Sequence, residues 1–346
     1  MTTDRQRVIL TVLEGSEESL GSSVLLDRLD GAVSAPTIKR DLSHLIDDGL
    51  VVVSGHGRAT RYTVSPSFRY LKRIDVAGYF EREVDDRQAQ TGFNWDLLEE
   101  LPDVTLFSPE ENDYLASLQR GFTERIATLS GAGLRKEQER FAVDLSWKSS
   151  QIEGNTYSLL ETERLLREKR TADGKTQEEA IMLLNHKQAI DLVLEHPDYL
   201  APLTLAGVED IHRLLVQDLD VDFGVRSRRV GVTGTAYLPL DNSFQITDAL
   251  KATCIIINDR ESVFDKALLA LALLSYIQSF MDGNKRTARI VSNALLLAGH
   301  SCPLSFRTVD SLYYKEAMLI FYEQNILSPV KQIFIEQFEF AVRTYF

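Results

Sequence analysis

At 346 residues the chain is long enough for two domains, and an apolar fraction of 44% supplies full hydrophobic cores. A net charge of −13 argues against broad adhesion to nucleic acid or membranes, and the two cysteines, Cys254 and Cys302, are too few for a disulfide framework or a zinc site. Asp4, Arg5 and Arg7 interrupt the start before any apolar core, and the longest apolar stretch, Ala267–Ile277, falls short of the roughly 20 residues of a membrane helix, so a cytoplasmic protein with no membrane partner is expected.

Residues 1–65 read as a separate domain. Val8, Ile9, Val12 and Leu13 mark a helix over Arg5–Glu14, and Ser22–Leu29 reads as a second. A third opens at Ser34-Ala35-Pro36, with proline where a helix start tolerates it, and runs to Gly49. Leu50–Val53 and Thr60–Val64 alternate like strands around the turn Ser54–Arg58. Three helices followed by a two-stranded wing resemble a winged helix-turn-helix, a small α/β domain. That resemblance implies that Thr37, Lys39 and Arg40 of the third helix face DNA, with Arg58 and Arg61 on the wing. The domain is not basic: seven Lys/Arg stand against nine Asp/Glu. Winged helices also serve as dimerisation or docking modules, so DNA and a homodimer partner are both open.

Residues 66–108 read as a linker punctuated by Pro66, Gly78, Gly92 and Pro102, with a polar helix near Tyr79–Gln90. Residues 109–346 read as almost wholly helical: Tyr114–Leu129, Arg135–Trp147, Leu159–Glu168, Glu178–Glu195, Leu205–Leu219, Ile246–Asn258, Ala267–Ile277, Thr287–Leu297 and two more helices within Thr308–Phe346. The whole is mainly α.

The run Gln278-Ser279-Phe280-Met281-Asp282-Gly283-Asn284-Lys285-Arg286-Thr287-Ala288-Arg289 joins two of these helices through a short polar turn. A helix N-terminus offers free N–H groups and a positive dipole end, which suits anions. Gly283 lets a ligand approach the backbone closely. Arg286 and Arg289, three apart, share a helix face and can aim forks of donors at phosphate oxygens. Asp282 is a hard oxygen ligand of the kind Mg²⁺ takes alongside phosphates. A charged helix start with surface arginines is the plainer alternative.

This run resembles the signature of the Fic family, His-x-Phe-x-Asp/Glu-Gly-Asn-Gly-Arg-x-x-Arg. Fic proteins mostly transfer AMP from ATP to a hydroxyl of a target protein. The resemblance implies a helical Fic core, Mg²⁺ on Asp282, the α-phosphate on Asn284 and the loop amides around Gly283 and Lys285, and the outer phosphates on Arg286 and Arg289. Two positions depart. Gln278 replaces the family's histidine base, and a carboxamide has no proton that titrates near neutrality. Lys285 replaces a glycine, and Asn-Lys-Arg is similar to the Doc branch, which transfers phosphate instead.

Two further segments extend the resemblance. Ser149-Ser150-Gln151-Ile152-Glu153-Gly154-Asn155 is similar to the family's inhibitory motif, on a helix near 141–155, and implies that Glu153 pairs with Arg289; an ordinary helix stop is the alternative. Gly224-Val225-Arg226 and the spaced glycines of Val230–Leu240 read as a β-hairpin. It resembles the Fic flap, which would place Val232, Thr233, Gly234, Thr235 and Tyr237 against a target; a surface hairpin, or self-modification at Tyr237 or Thr233–Thr235, are the alternatives. Of the histidines, His212 precedes the Gly224-x-Arg226 loop and reads as a helix-packing or surface residue, with a role as a compensating base the alternative. The expected function is thus an ATP-binding adenylyltransferase, impaired by Gln278 and restrained by Glu153, with a non-catalytic nucleotide-sensing DNA regulator or a Doc-like phosphotransferase as alternatives.

Overall fold

In a computed structural model that describes residues 3–16, 18–29 and 34–346, the chain divides into two compact units. The first comprises the described residues up to Arg73 together with 103–106; the second comprises 74–102 and 107–346.

The first unit contains α1 (Asp4–Glu14), α2 (Ser22–Arg28), α3 (Ala35–Asp47), β1 (Val51–Ser54), β2 (Arg61–Val64) and α4 (Pro66–Leu71). α1 starts where the Thr3 hydroxyl accepts from the Gln6 amide and the Gln6 side chain accepts from the Thr3 amide, a reciprocal cap. On α3, Ile38, Leu42 and Leu45 recur on one face and are buried against Ile9, Leu13 and Leu25. Asp41 lies on that same face, and Arg5 of α1 grips it with both arms of its fork. That hydrogen-bonded contact holds the Asp41 carboxyl below the usual carboxylate range. β1 and β2 are antiparallel, with Val51 opposite Val64 and Ser54 opposite Arg61, so the pleat turns both valines into the core.

The second unit contains α5 (Val76–Phe80), α6 (Asp96–Glu100), α7 (Pro109–Thr128), α8 (Gly131–Ile152), α9 (Leu159–Glu168), α10 (Gln177–Glu195), α11 (Leu205–Val216), α12 (Ser243–Asp259), α13 (Val263–Ile277), α14 (Asn284–Ala298), α15 (Ser311–Gln324) and α16 (Ser328–Thr344). Every residue of α13 from Ala267 to Ile277 is at most 4% exposed, so its apolar all-round sequence places it at the centre. Each leucine buried there contributes roughly 1.5–3 kcal/mol. α14 folds back on α13 and also packs on α8, α10 and α11. α8 is longer than expected at both ends because Ser130 caps its start and the helix persists until Gly154 adopts φ 102. Among the described residues no helix is long and apolar enough to cross a membrane.

Two expectations fail here, for one reason. The polar helix near Tyr79–Gln90 is absent: α5 stops at Phe80 and a single 3₁₀ turn follows at Val84–Asp86. This stretch, read as linker, instead bonds to the end of α15. The Gln90 amide donates to the Glu323 carbonyl (2.8 Å), and the Tyr79 hydroxyl donates to the Glu323 carboxylate (2.6 Å). The expected hairpin at 230–240 forms no strand pair, since β1 and β2 are the only strands among the described residues. Its chain turns at Gly234 (φ 85) and its polar groups look outward: the Leu238 amide donates to Thr91 O (3.2 Å), and Arg87 and Arg226 donate to the carbonyls of Gly234 and Leu240. In both segments the backbone finds partners elsewhere and needs no ladder or helix of its own.

Candidate functional site

The site forms where α13 gives way to α14. Gln278 ends α13 in the left-handed region (φ 53), an uncommon conformation for a residue with a branched-free but Cβ-bearing side chain. Arg226, 3% exposed, holds it there: its Nε donates to the Gln278 carbonyl (2.6 Å) and its amide donates to Ser279 O (3.0 Å). The Gln278 carboxamide turns back onto its own helix, Nε2 donating to Ser275 O (2.6 Å).

The loop is closed from within. Asn284 Oδ1 accepts from the Phe280 amide and Nδ2 donates to the Phe280 carbonyl, both at 2.8 Å. The Fic resemblance implies the α-phosphate on Asn284 and the loop amides; with both ends of its side-chain amide engaged and 6% exposure Asn284 is a clamp on the loop, and only its backbone N–H remains for an anion. Phe280 stacks on His212 of α11 at 3.8 Å, with the planes 9° apart. Burial pushes the His212 imidazole down to about 4, so it is neutral, and Nε2–H donates to Asp282 O (3.0 Å). Gly283 follows at φ 80; a Cβ there would meet Val216 at 3.3 Å.

α14 therefore starts without a side-chain cap, its first amides free, as an anion site requires. These amides face a small cavity of about 130 Å³ lined by Gln278, Asp282, Gly283, Asn284, Lys285 and Arg286 among others. A larger cavity of about 620 Å³ adjoins it, lined by Phe80, Arg87, Val232, Thr233, Leu312 and Leu319 among others, within the size range of small-molecule sites. Glu153, Gly231, Gln278 and Lys285 line both and form the throat between them.

Glu153 reaches the throat from the end of α8. Its carboxylate receives Arg289 Nη2 at 2.7 Å, while Ser149 holds the same guanidinium through its hydroxyl (2.7 Å) and carbonyl (3.0 Å). Arg289 is wholly buried; Lys285 Nζ lies 3.9 Å from the other Glu153 oxygen. Burial pushes the Glu153 carboxyl up, but Arg289 and Lys285 outweigh it and the net position is below the usual range. Arg286, 2% exposed, donates to Asp282 at 2.8 Å. One N–H-bearing nitrogen of each arginine, Nη1, has no partner among the described residues. Buried donors left unpaired are costly, which suits these two to an anionic partner. The Asp282 carboxylate is mostly exposed beside the free amides, a donor set that fits a Mg²⁺ held by one carboxylate plus phosphates.

The flap residues divide. Val232, Thr233 and Gly234 line the larger cavity, whereas Tyr237 is buried, stacked on Tyr276 at 4.8 Å, and donates its hydroxyl to Tyr276 O (3.0 Å). Thr235 accepts from the Tyr237 amide (3.0 Å). Tyr237 is thus a structural anchor, closed to a target or to self-modification in this conformation. His186, fully buried on α10, has neither ring nitrogen hydrogen-bonded; burial and then the Arg289 and Arg286 charges disfavour its cationic form. In the first unit Lys39, Arg40 and Arg58 are exposed, Thr37 shares a hydrogen bond with Ser34 (2.8 Å), and Arg61 donates to Thr60 O (3.1 Å).

Sequence reasoning missed Arg87 and the structural part of Arg226, and left His212 between a packing, a surface and a compensating catalytic role, without its bond to the loop carbonyl. Their effect is on carbonyls of distant loops, which no local pattern reports.

The fold is a helical core with an uncapped helix start at the α13–α14 loop. Residues 202–296 match the family model Fic/DOC family. The chain is 25% identical over 210 residues to "Protein adenylyltransferase Fic" of Culex quinquefasciatus, covering 58% of this chain and 41% of that protein. It is 26% identical over 190 residues to the protein of the same name in Drosophila grimshawi, covering 54% and 39%. It thus spans about two-fifths of the length of these curated relatives. Fic-1 from C. elegans superposes with a TM-score of 0.57 at 20% identity, over 68% of this chain and 71% of that one. A Fic-domain signalling protein from Bacteroides thetaiotaomicron gives 0.56 at 18%, over 66% and 94%. Residues 202–296 are thus similar to the Fic/DOC family, within a mainly α fold shared with these Fic structures.

Proposed function

We propose that the second unit is an ATP-binding, Fic-type protein adenylyltransferase, restrained by Glu153 and slowed by Gln278. The observation that carries this reading is the throat: an uncapped helix start, two buried arginines each with an unpaired donor, and a carboxylate seated on one of them. In the proposed reaction a target hydroxyl oxygen attacks the α-phosphorus. The bond to the bridging oxygen breaks, pyrophosphate leaves, and the hydroxyl proton passes to solvent. The loop amides and Arg286 hold the phosphates, Arg289 takes over their outer charge once Glu153 withdraws, and Asp282 would hold Mg²⁺, which would neutralise phosphate charge. Gln278 orients the hydroxyl without accepting its proton. Positioning and charge stabilisation still operate without a base, so slow transfer remains available.

The same engaged Gln278 supports a second reading, a nucleotide sensor without transfer, whose first unit acts as a winged helix on DNA through Lys39, Arg40 and Arg58. Lys285 in the throat supports a third, Doc-like phosphate transfer. The test is transfer from ATP labelled on the α- or the γ-phosphate to proteins of a lysate, with Mg²⁺, comparing Glu153→Gly with Glu153→Gly/Arg286→Ala. Arg286-dependent α-label supports adenylylation, γ-label alone supports phosphate transfer, and no label with ATP bound supports the sensor.

A further inference from the structure

Among the described residues, a single hydrogen bond reaches residues 230–234, and it comes from Arg87. This side chain is only 4% exposed. Its Nη2 donates to the Gly234 carbonyl at the flap turn and also lies 3.0 Å from Glu323 Oε1, a carboxylate at 0% exposure near the end of α15. Glu323 is fixed in turn by the Tyr79 hydroxyl at 2.6 Å, and the Arg87 guanidinium lies over the Phe80 ring at 4.8 Å. The next flap tie, Leu238 N–H to Thr91 O at 3.2 Å, comes from the same stretch of chain. Arg87, Phe80 and the turn Gly231–Gly234 share the wall of the larger cavity.

We propose that Arg87 is a positioning residue: it ties the flap turn at Gly234 to the buried Glu323 and so sets the distance between the flap and Gln278. Both contacts come from one nitrogen, Nη2, whose two N–H groups lie in the guanidinium plane and serve the carboxylate and the carbonyl at once, whereas a lysine ammonium is a point charge on a shorter, flexible stem. A charge-bearing donor to a carbonyl is also stronger than a neutral one. Residues 76–91 thereby act as a brace for the cavity wall. The functional consequence, placement of an acceptor hydroxyl, rests on the proposed adenylyltransferase reading; the mechanical one does not.

The test compares the full chain with Arg87→Lys, Arg87→Ala and Glu323→Gln by backbone hydrogen exchange and thermal unfolding. Arg87→Lys keeps the positive charge on Glu323 and is expected to retain the wild-type melting temperature, yet to speed exchange of the flap's hydrogen-bonded amides, Tyr237 and Leu238, about five- to tenfold, the loss of one hydrogen bond. α13 and α14 are expected to stay protected. Unchanged flap exchange in Arg87→Lys, or acceleration spread evenly over the unit, overturns the proposal and leaves Arg87 a stability residue. In transfer assays Arg87→Lys is expected to raise the KM for the protein acceptor and leave ATP affinity by calorimetry unaltered; a matched loss of ATP affinity overturns the flap assignment. A wild-type chain that binds no ATP defeats the proposed function instead, and the exchange data still decide the role of Arg87.

Discussion

Replacing Glu153 with Gln is expected to weaken the fold and strengthen anion binding together. The pair it breaks is close and sheltered: 2.7 Å between Glu153 and Arg289, with side-chain exposures of 20% and 0%. Removing one partner of a buried pair costs about 3–5 kcal/mol. Here Gln retains a hydrogen-bonding oxygen and the site is partly solvated, so roughly 1–3 kcal/mol is the expected loss at neutral pH. On the binding side, a phosphate charge about 5 Å from a carboxylate is opposed by about 3 kcal/mol at an effective dielectric near 20. Screening at the exposed edge brings that to roughly 1–3 kcal/mol, or about 5- to 150-fold in Kd. Thermal unfolding and calorimetric titration with Mg²⁺-ATP read the two quantities separately. Because the folded Glu153 carboxyl lies below its unfolded value, its contribution is present above about pH 4.3 and lost as pH falls through the folded value. A lowered melting temperature with unchanged ATP affinity would refute the argument, since Glu153 would then be a helix-end support and nothing more.

Three other substitutions bear on the same reasoning. Gln278→His in the Glu153→Gln background is expected to raise α-label transfer by about 10²–10⁴, the usual worth of a general base, and histidine tolerates the left-handed backbone found there; an unchanged rate would mean that position 278 does not face the attacking hydroxyl. His212 has a folded value of about 4, so folding disfavours its protonation: its stability contribution is complete above about pH 6.5 and falls by roughly 3 kcal/mol toward pH 4. His212→Phe, which keeps the stack on Phe280, is expected to flatten that part of a stability–pH curve, and an unaltered slope would count against a neutral His212. If the first unit binds DNA, Lys39→Glu with Arg40→Glu is expected to weaken binding and lower its salt dependence by about two phosphate contacts, read by anisotropy at several salt concentrations; an unchanged salt slope would move the contact surface elsewhere.

The sequence made the helices legible because their apolar faces repeat, and α9 (Leu159–Glu168) is found at the residues expected. The turn into an uncapped helix start at Gly283 was legible as well, since glycine, amide and arginine spacings are local. What escaped it was governed by distant partners. Nothing in the spaced glycines of Val230–Leu240 reveals that Arg87 and Arg226 take the carbonyls a hairpin would use. The residues following Phe80 lack an apolar stripe, and their order comes from Glu323, more than two hundred positions away. Asn284 was legible as part of the motif but not as a clamp, because the distinction lies in which way its amide faces.

On the proposed reading Glu153 and Gln278 are two separate factors in one rate. Gln278 would act on the chemical step, where no amount of ATP restores a missing base. Glu153 would act on occupancy. A contact that favours the closed throat by about 1–3 kcal/mol leaves roughly 1–15% of molecules open to an anion and raises the apparent Kd by the inverse of that fraction. Such a deficit yields to excess ATP, or to a partner that draws the end of α8 away. The two factors therefore separate experimentally: saturating ATP is expected to erase the difference between wild type and Glu153→Gln while leaving the effect of Gln278→His intact. Glu153 sits at the last turn of a helix whose Asp144 is held by Arg307 (3.0 Å) and by the Tyr345 hydroxyl, so relief of the restraint requires movement of the helix end alone and not of the whole helix.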